Sequence, residues 1–496
     1  MIQGSTIAAI ATPPGKGAIA VIRVSGEDAF SICGQIFRPA VKGMELSGQP
    51  GNTVHYGKIF DNGNIIDEIL LSIFRSPHSY TGEDLIEISC HGSVYVQQKI
   101  LQLILDRGAE PAKPGEFTRR AFLNGKMDLS QAEAVADLIA SESAAFHKVV
   151  MQQMRGGFSG EIKTLRSRLL EFISLVELEL DFSEEDVQFA DRNELRELLE
   201  KIAGMLESLT GSFALGNALK NGIPVVIAGK PNVGKSTLLN LLLKEEKALV
   251  SEIPGTTRDS IEDVIHLEGI SFRFIDTAGI RETADKIEIM GIERTMEKIR
   301  QAGIILFMAE AGDTREHINH LLESLRNKPE FEGKRIILLL NKSDLLPGHP
   351  QTVPEENSAP ASEAVTSRTG PLPGASGKHT GIMKHFPSLD EKDHVLNISA
   401  KTSSGLEELK RLLVSIVQQD NSGEGDIVVT NIRHYHALKN AHEAVIRASA
   451  GLENQLPGDL LAMDIREVLH YLGEITGEIT TDEILGNIFR NFCIGK

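Results

Sequence analysis

Gly229-Lys230-Pro231-Asn232-Val233-Gly234-Lys235-Ser236 follows a short apolar run, Val225–Ala228, and leads into the helical stretch that starts near Ser236. The eight residues match GxxxxGK[ST] in the strand-then-helix context that gives this pattern meaning. Backbone N–H groups of such a loop point inward and cradle phosphate oxygens. Lys235 adds a point charge at the β- and γ-phosphates, Ser236 offers a hydroxyl to Mg²⁺, and the helix start adds its positive dipole end. The contact set reads as Gly229, Asn232, Val233, Gly234, Lys235, Ser236 and Thr237.

Downstream, the apolar runs Phe272–Ile275, Ile304–Met308, Ile336–Leu340 and Val395–Ile398 each end in polar loop chemistry. That is the signature of a parallel sheet with crossover helices. Asp276-Thr277-Ala278-Gly279 follows the first of these runs, about 40 residues past the phosphate loop. Its carboxylate can hold Mg²⁺ through water, and Gly279 can present an N–H to a γ-phosphate. Asn341-Lys342-Ser343-Asp344 follows the third run and Ser399-Ala400-Lys401 the fourth. Asp344 can accept the N1–H and exocyclic amine of guanine. Adenine lacks both hydrogens there and would leave a buried carboxylate without partners, which discriminates by ~10⁴-fold or more. Asn341 can bridge base and phosphate loop, and the Ser399–Lys401 backbone can donate to guanine O6. Between these motifs, Thr257 of Gly255-Thr256-Thr257-Arg258-Asp259 is placed to ligate Mg²⁺ and sense the γ-phosphate. Arg258 reads either as an arginine finger or as half of a structural ion pair. A water-orienting Gln follows DxxG in Ras-type GTPases; here that position is Ile280. Candidates to replace it are Glu282 or Glu288 and a second cation, against the alternative that these carboxylates are a solvated face.

Around this α/β unit the pattern changes. Residues 1–126 mix short β-rich runs, Ala18–Val24 and Ile65–Phe74, with a helical stretch Val94–Leu105, an α+β unit. From Ser130 to about Asn221 the pattern is helical. Ser130-Gln131-Ala132-Glu133 fits a capping box, Leu165, Leu169, Phe172, Ile173 and Val176 form one apolar stripe, and Pro is absent from 115 to 223. Helical periodicity returns after about Gln419, in His434–Leu452 and Leu460–Leu472. The economical arrangement is a discontinuous all-α domain (127–221 plus 420–496) with a Ras-like P-loop α/β G domain inserted (222–419). Residues 347–394 hold seven of the 19 prolines and one aromatic; such a stretch cannot offset its ordering entropy and reads as a disordered insertion. Its four histidines are solvated loop residues or, alternatively, a metal site.

The chain of 496 residues carries 69 acidic against 51 basic residues, the wrong balance for a phosphate-coating protein. Nucleic-acid contact is therefore local or supplied by a partner. No stretch approaches the ~18 apolar residues of a membrane span. Three scattered cysteines, Cys33, Cys90 and Cys493, read as reduced thiols, and the N-terminal run is no signal peptide. A cytoplasmic location and no membrane contact are expected.

The whole chain resembles the MnmE (TrmE) family of tRNA modification GTPases. The resemblance rests on ATPPGKGAIAVIRVSG (11–26), TGEDLIEISCHG (81–92), PGEFTRRAFLNGKMDLSQAEAVADLI (114–139), the G motifs and the terminal Phe492-Cys493-Ile494-Gly495-Lys496. It implies a homodimer made by an N-terminal folate-binding domain, and an FAD-dependent MnmG-type flavoprotein partner. It also implies modification at C5 of the wobble uridine of certain tRNAs, with the tRNA held mainly by that partner. The one-carbon unit would come from 5-formyltetrahydrofolate or a related folate. GTP hydrolysis would be K⁺-dependent, with Asn232, Ser251, Ile253 and Thr256 as K⁺ ligands, the latter three mostly through backbone oxygens. Ser251, Glu252, Ile253, Pro254, Gly255, Thr256 and Thr257 then join Asp276, Thr277, Ala278, Gly279, Asn341, Lys342, Asp344, Ser399, Ala400 and Lys401 around GTP. Glu288 matches the catalytic glutamate, acting with Lys235, and Arg23, Glu87, Lys126 and Lys496 match the folate positions. Chemically, Glu87 can accept from a pterin amine and ring N–H, while Arg23 and Lys126 attract tail carboxylates. Cys493 is either a nucleophile near the one-carbon donor or a buried structural thiol. Two other readings compete. One is a GTP-switched RNA or ribosome-assembly factor without folate chemistry, for which the chain has no basic appendix. The other is a folate-dependent transferase with an accessory GTPase.

Overall fold

A computed structural model describes residues 4–181, 192–249, 263–275, 300, 302–331, 334–346, 386–390, 392–419 and 427–496. The chain divides into two compact units: residues 1–141, 147–213 and 427–496 form one, and residues 142–146 and 214–426 the other.

The first unit opens with a seven-stranded sheet. Its strands are β1 (Ile7–Ile10), β2 (Ile19–Ser25), β3 (Phe37–Pro39), β4 (Thr53–Asp61), β5 (Asn64–Phe74), β6 (Leu85–His91) and β7 (Glu110–Pro111), in the order β3-β4-β5-β6-β2-β1-β7. All pairings are antiparallel except β1 with β7. Strand side chains alternate faces. One set, including Ile22, Val24, Ile69, Leu71, Ile86 and Ile88, is buried with α1 (Ala29–Ile36) and α2 (Val94–Leu105). The opposite set leaves Val54, Tyr56 and Leu70 exposed.

Short helices α3 (Glu116–Leu123) and α4 (Leu129–Ala140) lead on to α5 (Ala144–Met154), α6 (Gly157–Asp181), α7 (Arg192–Gly211) and α8 (Phe213–Asn221). The cap of α4 differs from the sequence expectation. Asp128, not Ser130, is the N-cap, and its partner at the third helical position is Gln131. The same box chemistry was available two residues earlier, and Glu133 is used elsewhere: buried, it binds Arg433 Nε at 3.0 Å and His434 Nε2 at 2.7 Å. Ser130 is left inside the helix, its buried hydroxyl without a hydrogen-bond partner.

The expected apolar stripe of α6 is buried in one core with Leu195, Leu199, Ile202 and Leu206 of α7 and with residues after 427. Those belong to helices α12 (Ile432–Glu453) and α13 (Gly458–Thr476), which give Leu438, Val445, Ile465 and Leu472. Each fully buried Leu or Ile contributes about 2 kcal/mol, so the two distant chain segments depend on each other for a core. The returning chain is stitched down before α12 begins. Val429 N–H donates to Ser212 Oγ at 3.0 Å, and the buried Gln153 amide donates to Val428 O at 3.2 Å. A last helix, α14 (Asp482–Arg490), precedes the C-terminus.

The second unit is a six-stranded sheet, order β13-β12-β11-β8-β10-β9. Its strands are β8 (Ile223–Gly229), β9 (Asp263–Leu267), β10 (Ile270–Phe274), β11 (Ile304–Glu310), β12 (Arg335–Asn341) and β13 (His394–Asn397). Pairing is parallel throughout, except that β9 is an antiparallel edge. Both faces are covered. Val225 and Ile227 join the core beneath α9 (Lys235–Leu249) and α11 (Leu406–Gln419), while Val226 and Ala228 join the core with Ile318 and Leu322 of α10 (Arg315–Arg326). Residues 142–146 and 214–221, before the boundary expected at 222, also fall in this unit.

The expectation of disorder over 347–394 fails at its C-terminal end. Residues 347–385 lie outside the described residues, but Phe386 is buried and joins the α10-side core. Asp393, 1% exposed, accepts the Ile336 N–H at 2.7 Å and pairs with Arg326. One aromatic anchor and one buried carboxylate are enough to order this end of the segment, and His394 already belongs to β13.

Candidate functional site

The C-terminal ends of β8, β11 and β12 meet where ligands bind in open α/β sheets. Between β8 and α9 the chain turns through left-handed backbone at Gly229 (φ 147°), Asn232 (φ 62°) and Gly234 (φ 102°). Neighbours enforce the glycines: a Cβ on Gly229 would lie 2.3 Å from Met308 O, and one on Gly234 would lie 2.4 Å from Asn341 Nδ2. Val233 is buried beneath the turn. Lys235, first residue of α9, turns its ammonium back over the loop and donates to Gly229 O at 2.8 Å and Lys230 O at 2.7 Å. Burial lowers its pKa, because desolvation disfavours the charged form; a bound polyphosphate would reverse that penalty. Ser236 is half-buried on the first helical turn and Thr237 exposed.

Asn341, at the end of β12, is 3% exposed. Its Nδ2 donates to Val233 O at 2.7 Å and its Oδ1 accepts the Ala400 N–H at 2.9 Å. One side chain thus ties three loops together. Ser399 Oγ donates to Asp344 Oδ1 at 2.7 Å; among the described residues no hydrogen bond reaches Oδ2. The Ser399–Lys401 turn is closed by Ser399 N–H to Ser404 O at 2.9 Å. Gly405 (φ 78°) supports it, since a Cβ there would lie 2.4 Å from Asn397 O. Lys342 also has left-handed backbone (φ 62°), and its ammonium pairs with Glu310.

The structure therefore brings together Gly229, Asn232, Val233, Gly234, Lys235, Ser236, Thr237, Asn341, Lys342, Asp344, Ser399, Ala400 and Lys401. Ser251, Glu252, Ile253, Pro254, Gly255, Thr256, Thr257, Asp276, Thr277, Ala278, Gly279, Glu282 and Glu288 lie outside the described residues. Sequence reading missed Met308, whose carbonyl fixes Gly229, and Glu310. Both sit at the C-terminal end of a strand read as parallel, which was the available signal.

A second cluster forms in the first unit. Arg23 and Glu87 are directly opposite on β2 and β6. The guanidinium donates to Glu87 Oε1 from Nε (2.9 Å) and from a terminal nitrogen (2.7 Å), and to Gly495 O at 3.2 Å. It lies 5.2 Å from the Tyr80 ring and 5.5 Å from the Phe117 ring. Arg23 is thus engaged with Glu87 and with the C-terminal tail. The C-terminal tail docks here: Gly495 (φ 94°) packs against Ile10 and Ala11, and the Gly115 N–H donates to Cys493 O at 3.4 Å. Lys496 is half-buried, whereas Lys126 donates to Pro77 O at 2.8 Å. Tyr80, in a loop, and Phe117, on α3, were not legible as members, because nothing local in sequence brings either ring to Arg23. Cys493 is exposed, against the buried reading. Burial pushes the Cys33 thiol up to about 12 and that of Cys90 to about 11. Among the described residues, no three His, Cys, Asp or Glu side chains form a metal-holding group, and no helix is long and apolar enough to cross a membrane.

Residues 6–126 match the family model for the GTP-binding protein TrmE N-terminus, and residues 129–493 match the MnmE helical domain. The chain is 51% identical over 502 residues to a tRNA modification GTPase MnmE from Christiangramia forsetii, covering 100% of both chains. A protein of the same name from Bacteroides thetaiotaomicron is 51% identical over 491 residues, with 99% of each chain covered. Another from Flavobacterium psychrophilum is 50% identical over 499 residues, covering 100% of both. With its phosphate loop, its Asn341 clamp and full-length likeness of this degree, the chain belongs to the MnmE family of tRNA modification GTPases, GTP hydrolases that take part in tRNA modification.

Proposed function

We propose that this chain is a K⁺-dependent GTPase that drives, with an FAD-dependent MnmG-type partner, modification of C5 of the wobble uridine in certain tRNAs, using a folate one-carbon unit. The folate part rests on one observation: Arg23 is paired with Glu87, lies against the Tyr80 and Phe117 rings, and donates to Gly495 O of the C-terminal tail. No hydrogen bond among the described residues reaches Glu87 Oε2, so this oxygen is available to a pterin amine, and Lys496 and Lys126 supply positive charge. The open sheet face bearing Val54, Tyr56 and Leu70 supports a homodimer through the N-terminal domain, residues 1–126.

In the G domain (222–419), Asp344 selects guanine while Asn341 keeps base and phosphate loops in register. Lys235 and the loop amides hold the β- and γ-phosphates, and Ser236 and Thr257 are the Mg²⁺ ligands. Asn232, Ser251, Ile253 and Thr256 would hold K⁺, whose charge, when bound, offsets charge developing on the transferred phosphoryl group. Glu288 orients the attacking water. The helical parts (127–221 and 420–496) carry the G domain, tRNA is held mainly by the partner, and the complex works in the cytoplasm.

The test pairs two measurements on the full chain. GTP turnover is expected to fall at least about tenfold when Na⁺ replaces K⁺, given what one transition-state charge contributes. Titration with 5-formyltetrahydrofolate is expected to show saturable binding that Glu87→Gln weakens. Equal turnover in the two salts removes the cation assignment; absence of folate binding removes the one-carbon assignment.

A further inference from the structure

We propose that Glu310 and Asp313, at the C-terminal end of β11, are positioning residues for the nucleotide site. They grip one lysine on each side of it and thereby set how long the nucleotide stays. The proposal rests on the reading of the two flanking loops as phosphate-side and base-side.

β11 lies between the strands that carry those loops. Met308 pairs in register with Gly229 on one side, and Glu310 with Asn341 on the other. The turn after β11 therefore emerges between the phosphate loop and the base loop. Asp313 N–H donates to Glu310 O at 2.9 Å, and Ala311 N–H donates to Asn341 O at 2.7 Å, so the turn is closed and stitched to the base side. From this platform Glu310 Oε1 pairs with Lys342 Nζ. Asp313 Oδ2 lies 3.7 Å from Lys230 Nζ on the phosphate side. That oxygen is buried and has no hydrogen bond, so the contact with Lys230 is one of charge.

The Glu310 and Lys342 side chains are 43% and 35% exposed. Exposed pairs of this kind stabilise a fold little. What this pair does is remove freedom from a long side chain whose backbone is already left-handed and which sits between Asn341 and Asp344 in the loop read as base-side. Lys342 then need not be ordered when nucleotide arrives. The same holds for Lys230, whose carbonyl also accepts from Lys235. Two carboxylates on one rigid turn keep both walls of the pocket at fixed separation without touching the ligand.

Release of a fluorescent GDP analogue from the full-length protein, followed by stopped flow, tests this. Glu310→Gln is expected to speed release about three- to tenfold and raise KM for GTP in step, with kcat at saturation unchanged. In a Lys342→Gln background the same change adds less than about twofold, because residues acting through one contact are not additive. Asp313→Asn speeds release about twofold whatever stands at 342, since Lys230 is a separate contact. Release unchanged in Glu310→Gln, or effects that multiply fully with Lys342→Gln, would overturn the proposal. If Lys342→Gln itself leaves release unchanged, the base-side assignment falls and the proposal with it. Should Glu310→Gln fail to fold, Glu310→Asp carries the test, with release between wild type and the expected Gln value; wild-type release in that variant overturns the proposal.

Discussion

Gly234 and Asn341 meet so closely that a Cβ on the glycine would lie 2.4 Å from the amide nitrogen of the asparagine. That nitrogen donates to Val233 O at 2.7 Å. The phosphate and base loops are therefore one mechanical object. Gly234→Ala adds left-handed strain at φ 102° to this clash, together about 3 kcal/mol. Affinity for GDP is expected to fall about 100-fold, read by titration with a fluorescent analogue. Unchanged affinity would mean that the loops move independently.

Asp344 is oriented in advance by Ser399. Asp344→Asn puts an amide donor where the carboxylate accepts guanine's exocyclic amine, while its carbonyl can still accept N1–H, and should lower GTP affinity at least about 100-fold. Xanthosine triphosphate, with a carbonyl where guanine has its amine, should become the better substrate. Competition between the two nucleotides in the variant decides the point.

Glu288 lies outside the described residues, and its proposed role is separable from binding. Glu288→Ala should bind GTP as wild type does and hydrolyse it at least about 100-fold more slowly, as loss of a water-orienting or general-base group does. Weakened binding with normal kcat would reassign it.

Glu133 makes a prediction about stability. Burial alone would raise its pKa, but the charges and hydrogen bonds of His434 and Arg433 bring it down to about 2. A carboxylate depressed in the folded state contributes stability that is full above its ordinary value near 4.5 and fades as pH falls from there toward about 2. Glu133→Gln should cost on the order of 3 kcal/mol at pH 7, because it leaves Arg433 without its counter-charge. The gap between variant and wild type in calorimetric unfolding should narrow from about pH 4.5 downward. A gap that stays constant with pH would show that the carboxylate is not held ionised.

Local chemistry made much of this legible. The phosphate loop could be read because its turn demands glycine at fixed places, and the sheet because both of its faces are apolar. What failed had non-local causes. Ser130 looked like a helix cap, but Glu133, its supposed partner, is spoken for by Arg433 and His434 some 300 positions away. Arg23 and Glu87 read as candidate folate contacts, but that sheet register sets them directly opposite each other was not legible. Residues 386–394 looked disordered because composition averages over a window, whereas Phe386 and Asp393 act singly. β9 escaped notice because an exposed edge strand needs few apolar residues.

Ser212 and Val429 have a wider consequence. They mark where the chain leaves for the inserted unit and where it comes back, and a single hydrogen bond joins them. For the helical bundle, everything between is a loop whose ends already touch, and closure entropy depends only weakly on a loop's length. Replacing residues 214–426 by a few glycines and serines should therefore leave the bundle able to fold. The nucleotide engine is in this sense a cassette, exchangeable in principle for another of different speed.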